Sequence, residues 1–303
     1  MKISAVSSEV STESLIATFK AMSHATVLLV MALFAASQTC MTLFFLFSKI
    51  FLINLYLNVD RSIISQLKGL NLTGVLPTEF ANLTNLQELD LTRNYINGSI
   101  PTNYSQLPLV NLTLLGNRLS GTIPKEIGDI GSLESLVLED NDLGGPLPEN
   151  LGNLTNLKRL FLSANNFTGT IPESFHNLKN LTDFRIDGTR ISGKIPDFIG
   201  NWSKLDRLDL QGTSMEGTIP STISLLTNLT ELRISDLKGS SRPFPNLQDL
   251  KVLEYLTLRN CLITGPIPNY IGEMQKLKQL STTVLCSGLL RLSDILYGLF
   301  SQV

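Results

Sequence analysis

Cysteine is scarce in this chain: Cys40, Cys261 and Cys286 are the only three among 303 residues. Three are too few for a disulfide scaffold. Histidine is scarcer still, with only His24 and His176, and neither has a cysteine or carboxylate at ligand spacing. No metal site and no cofactor are expected, and the G-x-S-x-G nucleophile pattern is also missing. Charged residues make up 17% of the chain and the net charge is -2, so no basic field points to nucleic acid.

What the chain has in quantity is one repeated pattern. In Leu154 to Asn177, LTNLKRLFLSANNFTGTIPESFHN, the residues Leu154, Leu157, Leu160, Leu162 and Phe167 are apolar at fixed offsets, with Asn165 three positions after Leu162, then Gly169 and Ile171-Pro172. Prolines of Ile-Pro or Leu-Pro pairs recur at 77, 101, 124, 148, 172, 196, 220 and 268, in steps of 23 or 24 residues up to 220. A displaced Phe244-Pro245 carries the period through the last interval. Self-similarity of this length with L-x-x-L-x-L-x-x-N is the leucine-rich-repeat signature. Leu160 and Leu162 alternate with polar or outward residues, as in a short strand with one buried face. Asn165 is positioned to hydrogen-bond loop backbone that would otherwise be buried unpaired, Gly169 permits a tight bend, and Pro172 sits where no ladder N–H is needed. No rung can bury its leucines alone. Stacked about 4.8 Å apart, they share one core. The expected fold is an α/β-type solenoid, a horseshoe with a parallel β-sheet on its concave face.

Taken in order, residues 1–59 form a leader, apolar over about 25–57. Ala25–Ala36 has the length of a signal-peptide core, with small residues at Ala35-Ala36-Ser37 for cleavage. Joined to Met41–Leu57, it is long enough for an uncleaved membrane anchor. Both readings stand, beside a third in which the stretch is no natural lead-in to the solenoid. The solenoid is expected over 60–280, with an opening rung that has Ser65 at a core position, eight full repeats over 83–273, and a partial ninth. The Asn position reads Asn94, Asn117, Asn141 and Asn165, then Thr189, Thr213, Leu237 and Cys261. Leu237 cannot hydrogen-bond, and Pro243 and Pro245 replace the Gly-x-Ile-Pro of that rung, so a local distortion is expected there. Residues 281–303 read as an irregular tail, or as a short amphipathic helix from Leu285 to Leu299 capping the last rung.

The concave face is where repeats dock partners. Its outward columns run Arg159, Asp183, Arg207, Glu231, Tyr255 and Phe161, Arg185, Asp209, Arg233, Thr257, with Asp187 in a third. The bland reading is a lattice of cross-strand ion pairs. The sharp reading is a docking strip of Arg159, Phe161, Arg185, Asp187, Arg207, Asp209, Arg233 and Tyr255, since arginine and aromatics favour binding hot spots. A hydrolytic role for the aspartates is not expected, because an open sheet offers no cleft to push paired carboxylates apart in pKa. Ten N-x-S/T sequons, at Asn71, Asn82, Asn97, Asn103, Asn111, Asn153, Asn166, Asn180, Asn201 and Asn228, fit a secretory-pathway surface. A glycan on Asn111 would block the N-terminal concave face and push a partner toward rungs 154–273.

The L-x-G-x-I-P continuation, as in NRLSGTIPKEIGD and NNFTGTIPESFHN, resembles plant extracellular leucine-rich repeats over residues 67–280, about 70% of the chain. LKGLNLTGVLPTEFANLTNLQELDLTRNYINGSIP resembles the ectodomain of plant leucine-rich-repeat receptor-like serine/threonine kinases, and ISDLKGSSRPFPNLQDLKVLEYLTLRNCLITGPIP resembles their subgroup with a malectin-like domain. The resemblance implies a sensor at the plasma membrane or in the apoplast. The sequence departs from the family plan at both ends. No paired-cysteine cap precedes Leu67, and neither a malectin-like domain nor the kinase motifs follow Leu280. The expected function is therefore non-catalytic recognition of an extracellular peptide, glycan or protein, with a receptor-kinase co-receptor as a further partner. The alternatives are a secreted inhibitor of microbial wall-degrading enzymes, or a truncated product without independent function.

Overall fold

A computed structural model describes residues 63–64 and 67–285 of the chain. The leader with its apolar run, Ser65, His24, Cys40, Cys286 and the tail beyond 285 lie outside the described residues. Among the described residues, no helix is long and apolar enough to cross a membrane.

Ten parallel strands form the main sheet in chain order, from Ile63–Ile64 through Glu88–Asp90, Asn111–Thr113, Ser135–Val137, Arg159–Phe161, Asp183–Arg185, Arg207–Leu210, Glu231–Ser235 and Tyr255–Thr264 to Gln279–Leu285. Each pairs with the next at matching repeat positions, for example Leu136 with Leu160 and Leu160 with Phe184. The two leucines of each L-x-L point inward, and Leu154, Leu157, Leu160, Leu162 and Phe167 are all fully buried. One continuous core runs from Leu67 to Met274. No rung could exclude water alone, so the core exists only through stacking.

The Ile-Pro pair opens a five-residue 3-10 turn in each regular rung, such as Glu149–Asn153 and Glu173–Asn177. Proline suits the place because its fixed φ is compatible with the turn and its missing N–H is not needed. Its carbonyl accepts the first turn bond, Leu151 N–H to Pro148 O at 3.1 Å. Large aromatics close gaps between the turns and the sheet. Trp202 packs edge-on against Phe184 and Phe198, and its indole N–H donates to Phe175 O at 3.0 Å.

The asparagine column does what its position predicts. Asn165 Nδ2 donates to Leu138 O in the rung before (2.9 Å) and to Leu162 O in its own (3.1 Å), while its Oδ1 accepts from Leu143 N–H (3.0 Å). Asn94, Asn117 and Asn141 repeat this pattern. Thr189 and Thr213 reach only their own rung, at Ile186 O (2.7 Å) and Leu210 O (3.2 Å). Leu237 is buried in the column and Cys261 Sγ contacts Ile234 O at 3.4 Å. Burial pushes the Cys261 thiol up to about 12, as befits a structural cysteine.

Sequence reading does not foresee a second sheet. The residues after each Asn form five parallel strands, Thr73–Val75, Tyr95–Gly98, Arg118–Gly121, Asp142–Pro146 and Asn166–Thr168, and then a separate pair, Ser192–Lys194 with Ser214–Glu216. Between Asn166–Thr168 and Ser192–Lys194 the ladder becomes irregular, but Arg190 N–H to Phe167 O (2.9 Å) and Ser192 N–H to Gly169 O (2.7 Å) still join the two rungs. The expected distortion is present. Between Ser221–Leu225 and Asn269–Glu273 no 3-10 turn forms among the described residues, and the neighbouring strand Tyr255–Thr264 runs ten residues with a register shift between Leu258 and Ile263. One end differs from expectation. Leu285 closes a strand and pairs with Thr264, where the sequence reading starts a tail at 281 and a helix at Leu285. A sheet edge offers a row of open backbone partners, which a local helical pattern must outcompete residue by residue.

Candidate functional site

The main sheet sets the candidate strip side by side. Arg159, Asp183, Arg207, Glu231 and Tyr255 are register partners in one column, and Phe161, Arg185, Asp209, Arg233 and Thr257 in the next. Alternation along each strand puts these residues on the face opposite the core leucines.

The structure joins most of them into small clusters, one around Arg185, one around Glu231 and one at Asp187. Arg185 grips Asp183 two residues earlier in its strand, with Nε to Oδ1 at 2.9 Å and Nη2 to Oδ2 at 2.5 Å. Its guanidinium lies over the Phe161 ring, 4.0 Å from the centroid, so one face of the cation is stacked and one edge is tied. Glu231 holds two arginines: Arg207 across the strands at 3.2 Å and Arg233 along its own. Arg207 also lies 3.7 Å from Asp209. Ser163 Oγ donates to Asp187. The ion-pair lattice is therefore present, although Arg185–Asp183 and Arg233–Glu231 run along strands as well as Arg207–Glu231 across them.

Two candidates change standing. Phe161 is nearly buried beneath Arg185, and Asp209 is only 3% exposed, so both form the floor of the strip and offer little contact surface. Arg159 is exposed and has no ion pair among the described residues, and Tyr255 is exposed with Lys278 Nζ 5.9 Å from its ring. Arg185, Asp187, Arg207 and Arg233 are half-buried and held in place. Their fixed geometry lowers the ordering cost of binding.

Burial, reinforced by the charge of Asp187, raises the Asp209 carboxyl from 3.8 to about 6, against the pull of the Gln211 N–H, Arg233 and Arg207. A carboxyl that holds its proton more tightly folded than unfolded contributes stability that is present at low pH and lost as pH rises from about 4 to 6. Asp209→Asn is expected to stabilise the protein by about 1–2 kcal/mol at pH 7.5 and to leave it little changed at pH 4. Thermal melts at the two pH values measure this, and an equal offset at both would exclude it. Burial also pushes the Glu139 carboxyl up, while Arg185 opposes it.

The sequons divide by face. Asn111 stands on the main sheet between Glu88 and Ser135, half-buried, as expected for a residue that projects from it. Asn82, Asn153 and Asn201 end 3-10 turns and are exposed, and Asn97 and Asn166 lie on the second sheet. Asn71 is exposed just before that sheet. The amides of Asn103, Asn180 and Asn228 donate to carbonyls of the preceding rung, at Thr78 (2.9 Å), Thr155 (2.8 Å) and Ser203 (2.7 Å).

Leucine-rich-repeat family models match residues 131–191, 85–107 and 252–274. A probable leucine-rich-repeat receptor-like serine/threonine-protein kinase of Arabidopsis thaliana is 63% identical over 55 residues, which are 18% of this chain and 5% of the relative. The chain is a stack of leucine-rich repeats, similar to those of plant receptor-like-kinase ectodomains. A second probable receptor-like kinase of the same plant is 54% identical to this leucine-rich-repeat chain over 93 residues, 31% of it and 9% of the relative. The crystal structure of the Arabidopsis receptor kinase HAESA, in complex with the peptide hormone IDA and the co-receptor SERK1, superposes with a TM-score of 0.67 at 34% identity, over 71% of this chain and 37% of that one. The leucine-rich-repeat chain spans less than a tenth of the length of either of these curated relatives.

Proposed function

We propose that the chain is a non-catalytic extracellular recognition module, held at the plasma membrane or secreted to the apoplast. Its strip from Arg159 to Tyr255 receives an extended peptide, with a receptor-kinase co-receptor as a further partner. The observation that carries this reading is the ordered arginine row. Arg185, Arg207 and Arg233 are each fixed by a carboxylate while the sheet keeps them at the surface, and exposed Arg159 and Tyr255 flank them. Pre-set arginine and aromatic side chains on a rigid sheet suit a backbone that supplies carbonyls and carboxylates. The likeness to HAESA, solved with a peptide hormone, supports the same reading. A glycan on Asn111 would bias docking toward this C-terminal half.

The test is to pan a displayed random-peptide library against the glycosylated chain. Selected peptides are expected to lose about tenfold or more in affinity for Arg233→Ala and Tyr255→Ala, and to keep it for Lys125→Ala on a 3-10 turn. Binders indifferent to both strip substitutions would move the site elsewhere.

A further inference from the structure

We infer that Asn97 carries an N-linked glycan whose first N-acetylglucosamine packs onto a patch formed by Val75, Tyr95 and Arg118. The inference rests on the proposed secretory-pathway reading and adds a specific sugar-docking site to it.

The strand Tyr95–Gly98 alternates exposed, buried, exposed, so Tyr95 and Asn97 share the outer face while Ile96 is buried. Register places Val75 on one side of Asn97 and Arg118 on the other, in the neighbouring strands of the second sheet. Tyr95 is 45% and Val75 is 55% exposed. Among the described residues only six large apolar side chains are exposed, and two of them border this one asparagine. Exposed apolar groups gathered at one point mark a surface that something covers. The covering group here is tethered in place: residues two apart on a strand stand about 6.6 Å from each other, within reach of the first sugar on the Asn97 amide.

The chemistry matches. An N-acetylglucosamine ring has an apolar C–H face and a rim of hydroxyls with an acetamide. Tyr95 offers an aromatic face and Val75 two methyls, which the C–H face would remove from water. The Arg118 guanidinium lies 4.8 Å from the Tyr95 centroid, which fixes the ring and leaves N–H donors for the sugar rim. A sugar seated there touches three successive strands at the N-terminal end of the second sheet.

Five of the other sequons lack this setting. Phe80, two residues before Asn82, is buried, and Asn166 pairs in register with Gly144. Asn103, Asn180 and Asn228 already spend an amide N–H on a neighbouring rung.

The experiment uses the full chain expressed in plant cells. Mass spectrometry reads occupancy at Asn97, and thermal melts compare the protein with Ser99→Ala, which removes the sequon and keeps Asn97. The melts are repeated in a Tyr95→Thr background. The expected result is an occupied Asn97 and a Tm loss of about 2–3 °C for Ser99→Ala, shrinking below about 1 °C when Tyr95 is absent. Trimming the glycans enzymatically to the first sugar should leave Tm unchanged, a readout that needs no substitution. An unmodified Asn97 beside other glycosylated sequons would overturn the inference and leave the secretory reading intact. An equal loss in both backgrounds would overturn it too. Absence of sugar at every sequon would remove both.

Discussion

Asn165→Ala is expected to destabilise the solenoid by about 3 kcal/mol, read as a fall in the urea midpoint. The side chain is 6% exposed and satisfies Leu143 N–H, Leu138 O and Leu162 O, which belong to two different rungs. Truncation leaves these groups buried without partners, and alanine has nothing to replace them. The rung-to-rung link is lost with the hydrogen bonds, so amide exchange at Leu143 should speed up first. Thr189→Ala, at the same repeat position, is the internal control. Its hydroxyl serves Ile186 O alone, so about 1 kcal/mol is expected. Equal losses at the two positions would mean that the column does not join rungs in the way the geometry indicates.

Gly152→Ala should cost about 2–3 kcal/mol, although it adds a single methyl and removes no hydrogen bond. Gly152 is buried in the 3-10 turn Glu149–Asn153 and packs against the next turn, where an added Cβ would lie 2.5 Å from Ser174 O and 2.6 Å from Ser174 Cβ. The obstacle is backbone, which cannot rotate away, so the rungs must separate along a core that is otherwise close-packed. His176 occupies the same position one rung later, with its ring 6.4 Å from that of Phe198. The spacing there already accommodates a side chain, so His176→Ala is expected to change stability by less than about 0.5 kcal/mol. A mild Gly152→Ala would show that the turns slide past one another more freely than their contact suggests.

The columns of the candidate strip were legible because a period of two within strands and of 24 between them leaves one assignment for Arg159, Arg185, Arg207, Arg233 and Tyr255. Their pairing was not. Sign alternation points to partners across strands, yet Arg185 turns back to Asp183 because Phe161 offers its cation a stacking face in the neighbouring strand. Nothing in the spacing tells that Asp209 sinks to 3% exposure while Asp183, one column over, does not.

By itself the sequence determined that the chain is a stack of rungs, which leucines face inward, where Asn165 and its equivalents bridge backbone, and which rung departs from the rest. Those are consequences of short-range periodicity, and each rung states them independently. Only the tertiary structure decided that the residues after each Asn pair into a second sheet, that its ladder becomes irregular after Asn166–Thr168, and that the last strand runs on to Leu285. These depend on how one rung lies on the next, and the hydrogen bonds that settle it join backbone of neighbouring rungs, as Ser192 N–H to Gly169 O and Gln279 N–H to Glu254 O do.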